Sequence, residues 1–169
     1  SRREVASLPG EIADQETQIA ALRAALDDLR APPESFAVKL REIGGDRWVT
    51  FTDLPEAETH LASLSVNLHK MSGKTIVLVG EYRGMHLSMQ RAWAGIELIA
   101  THKSGAEFSV SARSGRGLYS VEYKISAASG HLANLVENVA VLKRRLAVLS
   151  DMSPVWSRRE QVAQMLTQY

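Results

Sequence analysis

Val5, Leu8, Ile12, Gln15, Ile19, Leu22, Leu26 and Leu29 recur in steps of three and four, and all but Gln15 are apolar. That spacing is the a/d seam of a heptad helix. Pro9-Gly10 interrupts it early and Pro32-Pro33 ends it, so the pattern predicts a helix over residues 11–30. A second seam, Leu132, Leu135, Val139, Leu142, Leu146 and Leu149, predicts a helix over residues 131–150. Pro154 breaks it, and Val155, Val162, Leu166 and Tyr169 predict one more short helix over residues 154–169.

Between the seams the period changes from helical to alternating. Phe36, Val38 and Leu40 alternate with polar positions, and Trp48–Phe51 returns after the Gly44-Gly45-Asp46 turn. Asp53-Leu54-Pro55-Glu56 reads as a helix start, with Asp53 as cap. Ala57, Leu61, Leu64, Leu68 and Met71 make the apolar stripe of a helix over 55–72, which Gly73 stops. Thr75–Val79, the Met85/Leu87/Met89 alternation, Ile96–Thr101, Glu107–Ala112 and Leu118–Ile125 then read as successive strands. Turns holding Gly95, Gly105, Gly115 and Gly117 separate the later ones.

The fold class expected is therefore α+β: an antiparallel meander over 35–126 with one packed helix, flanked by N- and C-terminal helices. Each seam is marginal as an isolated helix and must bury its stripe. One arrangement pairs the two seams as an antiparallel coiled-coil hairpin carrying the sheet at its tip, as in an arm or insertion of a larger protein. The other folds both helices onto the sheet. Pairing between chains through Leu22, Leu26, Leu142 and Leu146 is a third outcome, and Gln15 is the kind of seam residue that sets register or oligomer state.

Composition narrows the chemistry. At 169 residues, 45% hydrophobic and 23% charged, the chain suits one ordinary globular domain. With no cysteine, disulfides, thiol catalysis and cysteine-ligated zinc are excluded. No apolar run approaches the roughly 20 residues of a membrane span. The first residues lack the apolar stretch of a signal peptide and begin without Met, which fits an excised segment; a cytoplasmic setting is expected. The net charge of +1 conceals −4 over residues 1–73 and +5 over residues 74–169.

Motifs for catalysis are missing or incomplete. Ser72-Gly73-Lys74-Thr75 resembles the end of a phosphate-binding loop, but Leu68 stands where its first Gly belongs, and a helix precedes it where a strand should. Gly115-Arg116-Gly117 lacks its third Gly, Ser120 standing in that place. His60, His69, His86, His102 and His131 have no metal-site spacing. No cofactor or metal is expected, and the isolated chain reads as a non-enzyme. The remaining lead is basic. Arg83, Arg91, Lys103, Arg113, Arg116 and Lys124 are interleaved with Tyr82, Trp93, Tyr119 and Tyr123. Arginines and aromatics on one surface suit phosphate contact and base stacking, whereas aromatics in a core would not be available for it. Arg83, Lys103, Arg113 and Arg116 are the expected phosphate contacts; for Arg83 a structural pairing at the sheet edge is equally compatible. Lys143-Arg144-Arg145 lies opposite the seam and reads as a solvated face.

Three stretches carry a family resemblance. They are Ile43-Gly44-Gly45 with Phe51-Thr52-Asp53 and its helix, Gly80-Glu81-Tyr82-Arg83-Gly84 with Leu87-Ser88, and Tyr119-Ser120-Val121-Glu122 followed by Gly130 and Glu137-Asn138. In this order, over about residues 11–149, the chain resembles a helical-and-sheet segment of very large phage, plasmid and bacterial proteins that join an N6-adenine DNA methyltransferase to an SNF2-type helicase. It departs from that segment at His131, where Asn usually follows the Gly, and it carries none of the family's catalytic motifs. The resemblance implies an accessory module of a DNA-acting protein, contacting DNA or positioning catalytic domains. The rival expectation is a coiled-coil assembly or protein-interaction module.

Overall fold

The structure is a computed structural model that describes residues 2–69 and 76–167, with the backbone alone for residue 69 and residues 152–167. The phosphate-loop-like stretch 72–75, Met71 at the end of one stripe, and Tyr169 lie outside the described residues. The fold is α+β, three helices and a six-stranded antiparallel sheet. The elements are α1 (Arg2–Leu29), β1 (Val38–Arg41), β2 (Trp48–Phe51), α2 (Leu54–His69), β3 (Val77–Tyr82), β4 (Met85–Ala92), β5 (Gly95–Thr101), β6 (Glu107–Ser111) and α3 (Gly117–Thr167). Two compact units divide the chain: residues 21–131, and residues 1–20 with 132–169.

In the first unit the strand order is β2-β1-β3-β4-β5-β6, with every neighbouring pair antiparallel. Strands β3 to β6 form the expected meander. β2 and β3 run the same way with β1 between them, so α2 is the crossover of a split unit. Asp53 caps α2 as expected, its Oδ2 accepting from Glu56 N at 3.2 Å. Ala57, Leu61 and Leu64 are buried on its inner stripe. The register puts Val38, Leu40, Tyr82, Met85, Leu87, Met89, Leu98, Ala100 and Phe108 on one sheet face, all buried. This is the alternation that gives an antiparallel sheet one core face.

The resemblance-bearing stretch 80–84 has a structural explanation at each bend. Gly80 follows a bulge in β3 and sits where an added Cβ would lie 2.1 Å from the Lys39 carbonyl oxygen. Only glycine permits that approach of β1 to β3. Arg83 and Gly84 both have positive φ, 51° and 75°, making the tight two-residue turn between β3 and β4.

Three expectations need correction. Leu118–Ile125 is the start of α3, not a strand. Tyr119, Val121, Tyr123 and Ile125 alternate and are aromatic or β-branched, which favours strand locally. Yet Leu118, Val121, Ile125 and Ala128 are all buried and continue the three-four spacing of the second seam backwards without a break. Tertiary burial of that continuous stripe outweighs local preference. The first helix begins at Arg2 and includes Pro9. Leu8 and Ile12 on either side of the proline are buried, and their packing offsets one lost backbone bond. Pro154 does not end the C-terminal helix, and 154–167 is not a separate element.

In the second unit Ile12 and Ile19 of α1 form a buried cluster with Val139 of α3, and Leu132, Leu135, Leu142 and Leu146 pack against it. These are seam positions of both helices. Lys143 pairs with Glu16 at 2.8 Å, Arg144 with Glu137 at 3.7 Å, and Arg145 with Glu4, so the basic triplet is exposed but engaged.

Two glycines of the sheet unit make opposite predictions. Gly80→Ala should destabilise by about 3 kcal/mol, since backbone on the neighbouring strand has to move. Gly130→Ala, on α3 with nothing within 4 Å of its added Cβ, should stabilise by about 1 kcal/mol. Urea unfolding of both variants checks the pair.

Candidate functional site

The four expected phosphate contacts do not form one surface. The β3–β4 turn with Arg83 and the β5–β6 turn with Lys103 lie at one end of the sheet, because Tyr82 pairs with Met85 and His86 with Thr101. The loop after β6, with Arg113 and Arg116, lies at the other end, beside the β4–β5 hairpin, because Ser111 pairs with Glu97. Sequence order hides this, since alternate turns of a meander fall at opposite ends.

Arg83 is committed inside the fold. Its Nη1 donates to both Glu122 oxygens at 2.9 Å, and its Nη2 donates to the carbonyls of Leu29 at 2.8 Å and Ala31 at 3.0 Å. The side chain is 9% exposed. Tyr82 adds its hydroxyl to Glu122 at 2.7 Å, and burial pushes that phenol's pKa up. These donors are not available to a phosphate, so the structural pairing holds for Arg83. Lys103 is exposed, and its charge helps hold the Asp28 carboxyl low.

Asp28, His102 and Ser104 have the connectivity of a hydrolase triad. Asp28 Oδ2 lies 2.8 Å from His102 Nε2, and His102 Nδ1 lies 2.9 Å from Ser104 Oγ. The geometry is nevertheless that of a brace. The Ser104 hydroxyl donates to the Ala21 carbonyl at 2.7 Å, and the Ser104 N–H lies 3.1 Å from Nδ1. His102 is buried. A nucleophile needs its proton on the base and open space before its oxygen. Here the chain of bonds ties the β5–β6 turn to α1. His60 is similarly occupied, Nε2 lying 2.6 Å from the Arg41 carbonyl.

The end bearing Arg113 and Arg116 is different. A groove of about 610 Å³ opens there between the β4–β5 hairpin, the last residues of β6 and the first turns of α3. Its apolar lining includes Ala92, Ala94, Ile96 and Val110, and Tyr119 and Tyr123 face it from α3. The two tyrosines are one helical turn apart and 57% and 66% exposed. Trp93, at the hairpin tip between two lining residues, is fully exposed. The Arg116 guanidinium lies 5.3 Å over the Tyr119 ring, and Lys124 lines the groove. Arg113 is exposed in the same loop.

Glu58 sits behind this site. Its carboxylate accepts from Leu118 N at 2.7 Å and Tyr119 N at 3.4 Å, so the N-terminus of α3 is capped from α2. Burial raises its pKa, against the two backbone hydrogen bonds and Arg116, which lower it. Nothing local marks it as a cap sixty residues away.

A second concavity of about 420 Å³ lies on the opposite sheet face, lined by Lys39, Trp48, Leu78, Glu81 and His86 among others. Arg41 covers the Trp48 ring there at 5.8 Å. Among the described residues no cluster of His, Asp and Glu could hold a metal ion, and no helix is long and apolar enough to cross a membrane. No protein-family model, curated protein or solved structure matches the chain.

The two shifted carboxyls predict opposite pH trends. The folded Glu58 pKa lies above its ordinary 4.5, so the stability it contributes is full below that value and is lost as pH rises through the folded pKa. The folded Asp28 pKa lies below its ordinary 3.8, chiefly through the His102 hydrogen bond. Its contribution is full above that value and is lost as pH falls through the folded pKa. Urea midpoints followed from acid to neutral pH should lose the rising-pH decline in Glu58→Gln and lose part of the acid decline in Asp28→Asn.

Proposed function

We propose that this chain is a non-catalytic module that contacts nucleic acid, within a cytoplasmic DNA-acting protein of the helicase–methyltransferase kind it resembles. The observation that carries this reading is the end of the sheet where exposed Trp93, Tyr119 and Tyr123 adjoin Arg113, Arg116 and Lys124. A fully exposed tryptophan beside two exposed tyrosines buries nothing for the fold, and large exposed aromatics in one place mark an interaction surface. The cations beside them suit phosphate. Arg83 drops out of the expected contact set, and Lys103 belongs to the far end. Lys124 takes their place.

Fluorescence anisotropy with labelled DNA at low salt tests the reading. Arg113→Glu with Arg116→Glu should weaken binding by about tenfold or more and reduce the salt slope by roughly 0.7 to 0.9 per contact removed, with the circular dichroism unchanged. Absence of binding to any DNA at tens of micromolar would remove the reading.

Self-assembly is a second reading, and one observation favours it. Val141 and Val148, one heptad apart on α3, are exposed. Leu142 and Leu146 already pack within the chain, and Leu22 is buried in the sheet unit, so the valines rather than those leucines would pair chains. Sedimentation at several concentrations should show a dimer that Val141→Asp with Val148→Asp abolishes. A monomer throughout would reject assembly.

A further inference from the structure

We infer that the ligand of the groove beside α3 is single-stranded nucleic acid, with unpaired bases entering the groove and stacking on Tyr123 and Trp93. This rests on the nucleic-acid reading above and narrows it.

The shape and lining of the groove separate single strands from duplexes. A duplex presents phosphates and sugars, and its base faces are stacked inside. It has nothing to place in a slot walled by Ala92, Ala94, Ile96 and Val110. An unpaired base has two apolar faces, and aromatic side chains recover the stacking it has lost. Among the described residues neither Trp93 nor Tyr123 makes a ring or cation contact, so both rings are open to a base. Tyr119 differs, because Arg116 already lies over its ring. That stack holds a guanidinium at the groove mouth, where the phosphate of an inserted nucleotide would pass.

The charges agree. The anion-attracting end of α3 is not free: Leu118 N and Tyr119 N both point to Glu58. Phosphate attraction therefore falls to Arg113, Arg116 and Lys124 at the rim rather than to the helix terminus. Glu97 also borders the groove. It alternates with Ile96 and Leu98, so its side chain leaves from the other sheet face and its carboxylate is not set against a ligand in the groove. Cations at the rim with aromatic rings and apolar side chains inside fit a ligand with its backbone out and its bases in.

The test uses the whole chain and three labelled probes: a mixed-sequence single strand, the same sequence as a blunt duplex, and a single strand of abasic sugar-phosphate. Anisotropy should give affinity for the base-bearing single strand about tenfold or more above both other probes. Tyr123→Ala and Trp93→Ala should each lower single-strand affinity roughly tenfold and leave duplex affinity unchanged, with Tyr123→Phe restoring binding. Both residues are exposed, and unchanged circular dichroism would confirm folding. Equal or tighter duplex binding, or equal binding of the abasic strand, would overturn the single-strand inference while leaving nucleic-acid contact intact. Binding of none of the three probes would overturn both.

Discussion

The Arg83 guanidinium joins three parts of the chain that are distant in sequence. It sits in the β3–β4 turn, reaches the carbonyls of Leu29 at the end of α1 and of Ala31 just beyond it, and donates to both oxygens of Glu122 on α3. The Arg83 backbone has φ of 51°, a conformation that costs a non-glycine residue about 1 kcal/mol or more. Gly84 completes the turn, Gly80 lets β1 close on β3, and Tyr82 supplies a second donor to Glu122. The most distinctive stretch of the sequence is thus occupied with building the scaffold.

The parts of the fold that could be read from the sequence were those where one period dominates. The six sheet strands, the capped helix after Asp53 and the helix over 131–150 each follow a single regular pattern, and each forms. The stretch from Leu118 to Ile125 carries two patterns at once. Its alternation of Tyr, Val, Tyr and Ile is real, but its heptad register is shared with the seam that continues to Leu149. A long-range period beats a short-range one when it buries a continuous stripe. For the candidate site, the sequence could not tell committed cations from exposed ones, nor that the four expected contacts fall at opposite ends of the sheet. Arg83 and Arg116 look alike in the chain, and only the fold shows that one faces carbonyls and a carboxylate while the other lies on an exposed ring.

Buried polar groups do much of the joining between helices and sheet. Glu58 caps α3 from α2, and the Asp28–His102–Ser104 chain fastens the β5–β6 turn to α1. Each places ionisable or hydroxyl groups where partners satisfy them, as burial requires. The second is instructive because its connectivity alone would suggest catalysis. The direction of one hydroxyl proton and the closure of the surroundings decide otherwise. Residue types and distances define a candidate; accessibility and proton direction define a site.

The heptad of α3 also explains why its outer face leaves two tyrosines exposed. Leu118, Val121, Ile125 and Ala128 fix the inner face against the sheet unit, and the same phase continues to Val139 in the other unit. With the phase set along that length, Tyr119 and Tyr123 are forced outward, toward the groove wall. Neither ring is needed to hold the helix, because the stripe beside them already does so. Substitutions at the tyrosines should therefore cost little stability, whereas substitutions at Leu118, Val121 or Ile125 strike the core. Adjacent positions on one helix are separated by their phase into scaffold and surface. The surface here is aromatic, basic at its rim and apolar in its depth, and its chemistry can vary while Arg83 and the α3 stripe keep the fold unchanged.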